Sequence, residues 1–258
     1  MIDVNVSLSR WPFRRLPDDE THRLVQRLKQ AGVTHAFAGS FDALLHKDVE
    51  GVNRRLVDEC NTHGDGLLLP FGCVNPTLPD WQEDVRRCRE VHHMRGIRLH
   101  PNYHGYTLDA PEFNELLTLA AQHQLIVQLS IMMEDERTQH PLVQVPAVDT
   151  TPLPDVLTNH PDLPLILLNS QRAIHGEALT QLAASGNTYF DIAMQESIGG
   201  LTKLTTLVPH TRILFGSHAP FFYHESATLK LQESNLGETI RQAMAVNNAK
   251  DVLKSTTS

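Results

Sequence analysis

Eight short apolar runs, separated by longer amphipathic stretches, constrain this chain more than any other feature. The runs lie at 2–6, 34–39, 66–74, 96–100, 125–131, 164–169, 188–193 and 212–216, as in IDVNV, GIRLH and PLILLN. They are nearly continuous in apolar residues, the pattern of parallel strands covered on both faces. Helical periodicity fills the intervals at 18–31, 48–63, 80–92, 111–123, 152–160, 175–186 and 198–208, and 226–253 in pieces. Eight strands alternating with helices in 258 residues predict an α/β fold, a single (β/α)8 barrel occupying 1–258. An open doubly wound sheet is the rival, but VNVSLSRWPF follows the first strand where that fold places a Gly-rich turn. No repeat and no low-complexity linker divides the chain.

Local punctuation supports the helices. In PDDETHRLVQRLKQAG the acids open the first turn, Leu24, Val25 and Leu28 recur at helical spacing, and Gly32 stands past the end. Asp109 is placed to cap the helix that Pro111 begins.

A net charge of −8, with no basic block, argues against nucleic acid as a partner. No apolar run reaches the roughly 18 residues a membrane helix needs, and no signal peptide is visible. Cys60, Cys73 and Cys88 fall in predicted elements without CxxC pairing, which points to buried thiols in a reducing cytoplasm. The expected partner is a small-molecule substrate. The segment PFFYHESATLKL, at 220–231, is read either as a homodimer surface or as the last barrel helix.

In a barrel, chemistry sits where strands end. The first strand delivers Asn5 and Ser7, two residues apart and so on one face, followed by RWPFR. There Trp11 and Phe13 lid the mouth or anchor the loop, and Arg10 and Arg14 attract an anion or brace the chain. The fourth strand gives Arg98, His100, Asn102 and His104, the fifth Gln128, the sixth Asn169 and the eighth His218. After the fifth strand, EDERTQHP gathers Glu134, Asp135, Arg137 and His140, either as an acid and anchor group or as a salt-bridged loop.

IDVNV, GIRLHPNYHGY, LFGSHAPF and NNAKDVL, taken in this order, resemble the amidohydrolase superfamily. The similarity is to its branch of small barrels, which holds metal-dependent hydrolases and nonoxidative decarboxylases. The resemblance implies D-x-H-x-H on strand one, a histidine on each of strands five and six, and an aspartate on strand eight, holding divalent ions that activate water. This chain has Asn5, Ser7, Gln128, Asn169 and His218 at those places. Amides are weak zinc ligands, so no resident metal is expected.

The reading that follows is a hydrolase of a small anionic substrate. His100, His218, Asp135 and His140 form the catalytic set, and His100 and His218 exchange protons. Arg98 and Arg137 hold the anion, and Asn5, Asn102, His104, Gln128, Glu134 and Asn169 orient the substrate. The alternatives are a decarboxylase-like lyase, a zinc site relocated to His100, His140 and His218 with Glu134 or Asp135, and a barrel that binds a ligand or partner without turnover.

Overall fold

A computed structural model describes residues 1–256. Eight parallel strands pair in sequence order: β1 (Ile2–Leu8), β2 (His35–Ser40), β3 (Leu68–Cys73), β4 (Gly96–Leu99), β5 (Ile126–Ser130), β6 (Pro164–Leu168), β7 (Asn187–Asp191) and β8 (Ile213–Leu214). The seam between β8 and β1 is closed by Val4 N donating to Phe215 O and Ser7 N donating to Ala219 O, each at 2.9 Å. The result is the expected (β/α)8 barrel.

Around it run α1 (Thr21–Gln30), α2 (Val49–His63), α3 (Trp81–Glu90), α4 (Pro101–His104), α5 (Pro111–Gln122), α6 (Leu153–Leu157), α7 (Gly176–Ala184), α8 (Gly200–Leu207) and α9 (His224–Gln232). Then α10 (Glu238–Gln242) passes through a π-helical turn, Ala243–Asn247, into α11 (Asn248–Lys254). Among the described residues, no helix is long and apolar enough to cross a membrane. All three cysteines are buried thiols.

Two local expectations are corrected. The acids of PDDE precede α1 instead of opening it, because Arg15 holds Asp19 through Nε at 2.6 Å and Nη2 at 2.8 Å in the preceding loop. Asp109 does not cap α5: the cap position is Ala110, and the Asp109 carboxylate accepts from Thr107 Oγ1 at 2.5 Å. The segment 220–231 packs largely as α9, burying His224, Ala227 and Leu231 while Tyr223 and Leu229 stay exposed.

Period-two alternation sorts the strand side chains into two layers. Leu129 and Leu167 face the helices, whereas Ile2, Val4, Phe37, Phe71, Ile126, Ile166 and Leu214 fill the lower barrel. Ala249 and Val252 of α11 close that end. Phe37 and Phe71 stack there with centroids 4.6 Å apart. In β1 the register shifts between Asp3 and Val6, and Asn5 N bonds the Asp3 side chain at 3.0 Å. This bulge re-aims the strand, so Ile2 and Val4 point inward below it and Asn5 and Ser7 bond inward above it.

Phe37→Ala removes a fully buried stacked ring. It should destabilise the protein by about 3–5 kcal/mol in urea unfolding. A loss under about 1 kcal/mol would mean that the lower barrel does not pack as described.

Candidate functional site

Above the apolar layer the barrel is polar and closed. Arg98, only 3% exposed, reaches from β4 across the interior. Its Nε donates to Gln128 Oε1 at 2.8 Å, Nη1 to Val6 O at 2.9 Å and Ser7 Oγ at 3.2 Å, and Nη2 to Phe37 O at 3.0 Å. Gln128 Nε2 is fixed by Val4 O at 2.7 Å, which turns Oε1 toward the guanidinium. On the other side, Asn5 Nδ2 donates to Asn169 Oδ1 at 2.8 Å and to Asp191 Oδ2 at 2.6 Å. Asn169 N donates to Asp191 Oδ1 at 2.9 Å, and Asn169 Nδ2 donates to Met132 O at 2.9 Å. Arg98, expected to meet a substrate anion, therefore spends four hydrogen bonds on the barrel's own oxygens.

Two buried carboxylates, Asp191 beside this layer and Asp3 on the helix side of β1, were not singled out from the sequence. Asp191 ends β7, and burial pushes it up to about 7 against the hydrogen bonds from Asn5 and Asn169. Gly216 leaves room for it, since a Cβ there would lie 2.8 Å from Asp191 Oδ2. Asp3 accepts from Ser217 N at 3.0 Å and lies 3.7 Å from His224 Nε2, and burial raises it as well. Acids set inside the apolar runs TYFDIA and IDVNV were the available signal, since a carboxylate is seldom fully buried without a specific partner.

The histidines cluster at the mouth. His218 adopts a left-handed φ of 59° in the loop that follows β8, as Asn169 does with a φ of 57° directly after β6. Such backbone is uncommon outside glycine and concentrates at functional sites. His218 Nε2 lies 2.9 Å from Met133 O, so Nε2 carries the proton and Nδ1 keeps its lone pair. That Nδ1 is buried without a protein partner, as is Nδ1 of His100 and of His104. His104 Nε2 lies 2.9 Å from Ala43 O, and its ring centroid is 6.0 Å from that of His100. Burial holds all three below the ordinary histidine value, His218 down to about 4 and His100 well below. His104, Arg98 and His218 further lower His100 by their charge, so the two imidazoles share one electrostatic environment.

Aromatic rings roof this cluster. Phe221 stacks on His218 with centroids 4.9 Å apart, Trp11 meets Phe221 edge-on at 5.1 Å, and the Arg14 guanidinium lies 5.0 Å from the Phe221 ring. Outside them a cavity of about 200 Å³ is lined by Trp11, Phe13, Arg14, Tyr103, Glu134 and His140, with Thr138, Gln139 and Val143. Arg14 Nη1 holds the buried Glu134 carboxylate at 2.9 and 3.1 Å, and among the described residues its Nε and Nη2 make no hydrogen bond.

The strand-five loop is braced by charge. Asp135 takes Arg137 Nη2 at 2.6 Å and Arg172 Nη2 at 2.8 Å, which hold it well below the usual carboxylate range. Neither Asp135 nor Arg137 lines the cavity. His140 lines it, with Nδ1 accepting from Leu142 N at 3.2 Å, and Asn102 ties the loop to α4 through Pro146 O at 2.7 Å. The structure thus brings together His100, His104 and His218, and separately Asn5, Arg98, Gln128 and Asn169. It sets Asp135, Arg137 and His140 in the outer loop, with Asn102 bonded to that loop from α4.

A divalent ion requires lone pairs of imidazole, carboxylate or thiolate turned on a common centre. At the places the resemblance assigns to such donors, Asn5 and Asn169 are bonded to each other and Ser7 and Gln128 to a guanidinium, which leaves His218, with Nδ1 free, as a single imidazole donor. These residues do not fit the metal. Among the described residues, no group of three or more His, Cys, Asp or Glu could hold one.

Burial gives these groups opposing pH slopes. Between about 4 and 6.5 the unfolded chain protonates a histidine that folded His218 leaves neutral, so stability rises with pH. Between 3.8 and about 7 the unfolded chain has released a proton that folded Asp191 keeps, so stability falls with pH. Melting curves of His218→Gln from pH 4 to 7 should slope downward relative to the parent, and those of Asp191→Asn upward. Parallel profiles would refute the assignment.

The amidohydrolase family model matches residues 14–254. No curated protein matches the chain in sequence. Among solved structures, 5-carboxyvanillate decarboxylase from Sphingomonas paucimobilis is similar at 10% identity and a TM-score of 0.74, covering 98% of each chain. A 2,6-dihydroxybenzoate decarboxylase from Rhizobium is similar at 13% identity and a TM-score of 0.70, over 98% of this chain and 97% of that one. A dihydroxybenzoic acid decarboxylase from Polaromonas sp. JS666, which holds manganese and 2-nitroresorcinol, is similar at 13% identity and a TM-score of 0.73, over 98% and 96%. At such identities these likenesses speak for the fold alone. With the family model spanning nearly all of the barrel, the chain belongs to the amidohydrolase family.

Proposed function

We propose that the protein is an acid–base hydrolase of a small organic anion, working without a divalent metal, with His218 as general base. The observation that carries this reading is the His218 tautomer. Its Nε2–H is committed to Met133 O, and its Nδ1 lone pair is buried and unpartnered. A base held below the ambient pH is already unprotonated and can take a proton from water as the water attacks an acyl carbon. The proton taken by His218 then passes to the departing oxygen or nitrogen as the acyl bond breaks, with His100 as the second proton carrier. The substrate enters through the outer cavity lined by Trp11 and Phe13, where the uncommitted Nε and Nη2 of Arg14 meet its carboxylate. Rotation of Phe221, which stacks on His218, opens the way inward. At about 200 Å³ the cavity is smaller than the roughly 300 Å³ at which drug-sized sites begin, so the ligand is small.

A second reading, nonoxidative decarboxylation, is favoured by the aromatic lining of Trp11, Phe13 and Tyr103 around Arg14, which suits an aromatic carboxylic acid. The decarboxylases among the similar structures support it at the level of analogy.

Incubation with a panel of small carboxylate-bearing lactones, esters and amides, and with hydroxylated benzoic acids, separates the two by acyl cleavage or CO2 release. His218→Gln should lower the turnover found by about 10²- to 10⁴-fold. Saturable binding without either product would replace both readings with a ligand-binding barrel.

A further inference from the structure

The polar layer holds a cation in a cradle of oxygens. Val6 O, Ser7 Oγ, Phe37 O and Gln128 Oε1 all accept from Arg98, at 2.8–3.2 Å. These oxygens come from β1, β2 and β5, and the cation from β4. The nearby carboxylates Asp191 and Asp3 act on it through their charge. The chain is built around this crossing: a Cβ at Gly39 would lie 2.7 Å from Arg98 Nη1 and 2.8 Å from its Cδ. Two of the cradle residues, Ser7 and Gln128, stand at places where the family resemblance sets metal ligands. Of the three remaining places, Asn5 and Asn169 have closed onto each other and His218 is bonded to Met133 O.

We propose that the Arg98 guanidinium is a built-in cation that takes the place of a divalent ion in this barrel, bracing β1, β2, β4 and β5 through neutral oxygens. A guanidinium suits the task because its planar fork carries a permanent charge and donates in several fixed directions at once. Burial draws it down to about 10, which still leaves it charged at neutral pH. The inference does not depend on turnover and is tested without substrate.

The test is thermal unfolding of Arg98→Ala with and without millimolar ethylguanidinium, with the neutral isostere ethylurea as control. The substitution empties the cradle and strands buried oxygens, so the melting temperature should fall by on the order of 10 °C. Ethylguanidinium should restore at least half of that loss and ethylurea none. Equal rescue by both compounds, or by neither, would overturn the proposal, the first reducing Arg98 to a space filler. If Arg98→Ala does not fold, Arg98→Lys and Arg98→Met decide: a higher melting temperature for the lysine supports the cation, and an equal or higher one for the methionine rejects it. A rise in the melting temperature of the unsubstituted protein on adding manganese or zinc would also overturn it.

Discussion

A single buried guanidinium organises the upper half of this barrel. Arg98 cannot sit in the interior unless its N–H groups are satisfied, because an unpaired buried charge costs several kcal/mol. That demand fixes its surroundings: Gly39 is bare where the side chain crosses, Gln128 is oriented by Val4 O, and β1 bulges to bring Asn5 and Ser7 inward. Beside the guanidinium, Asn5 and Asn169 form a second set that ties β1 and the end of β6 to Asp191 of β7. The strands are joined through their ends as well as along their edges.

This closure sets the character of the mouth above it. With the interior occupied by the protein's own charges, the histidines that follow β4 and β8 are left in a buried, aromatic-roofed layer under Trp11 and Phe221. Burial keeps them neutral, and their hydrogen bonds to the Ala43 and Met133 carbonyls decide which nitrogen of His104 and His218 carries the proton. Electrostatics deep in the barrel and proton chemistry at its mouth are therefore parts of one arrangement.

The barrel was legible because every strand is an apolar run and the intervening helices keep their period, a signal repeated eight times over. That His100 and His218 stand at one rim was legible because both follow strands that must end there. The use of Arg98 was not, since a sequence places an arginine on an inward face without saying whether its donors meet a ligand or the barrel itself. Asp3 and Asp191 escaped notice for a related reason: inside apolar runs they read as strand interruptions, and only the bulge in β1 and the bare Gly216 make room for them. Glu134 was picked out, but its partner, Arg14, lies 120 residues away in sequence, a pairing that no local pattern announces.

The central claim is that side-chain charge has replaced metal charge in an amidohydrolase barrel. Elemental analysis of the native protein, purified without chelators from cells grown with ample manganese and zinc, addresses it most directly. The account predicts no stoichiometric divalent metal. One tightly held equivalent per chain, retained through gel filtration, would contradict it.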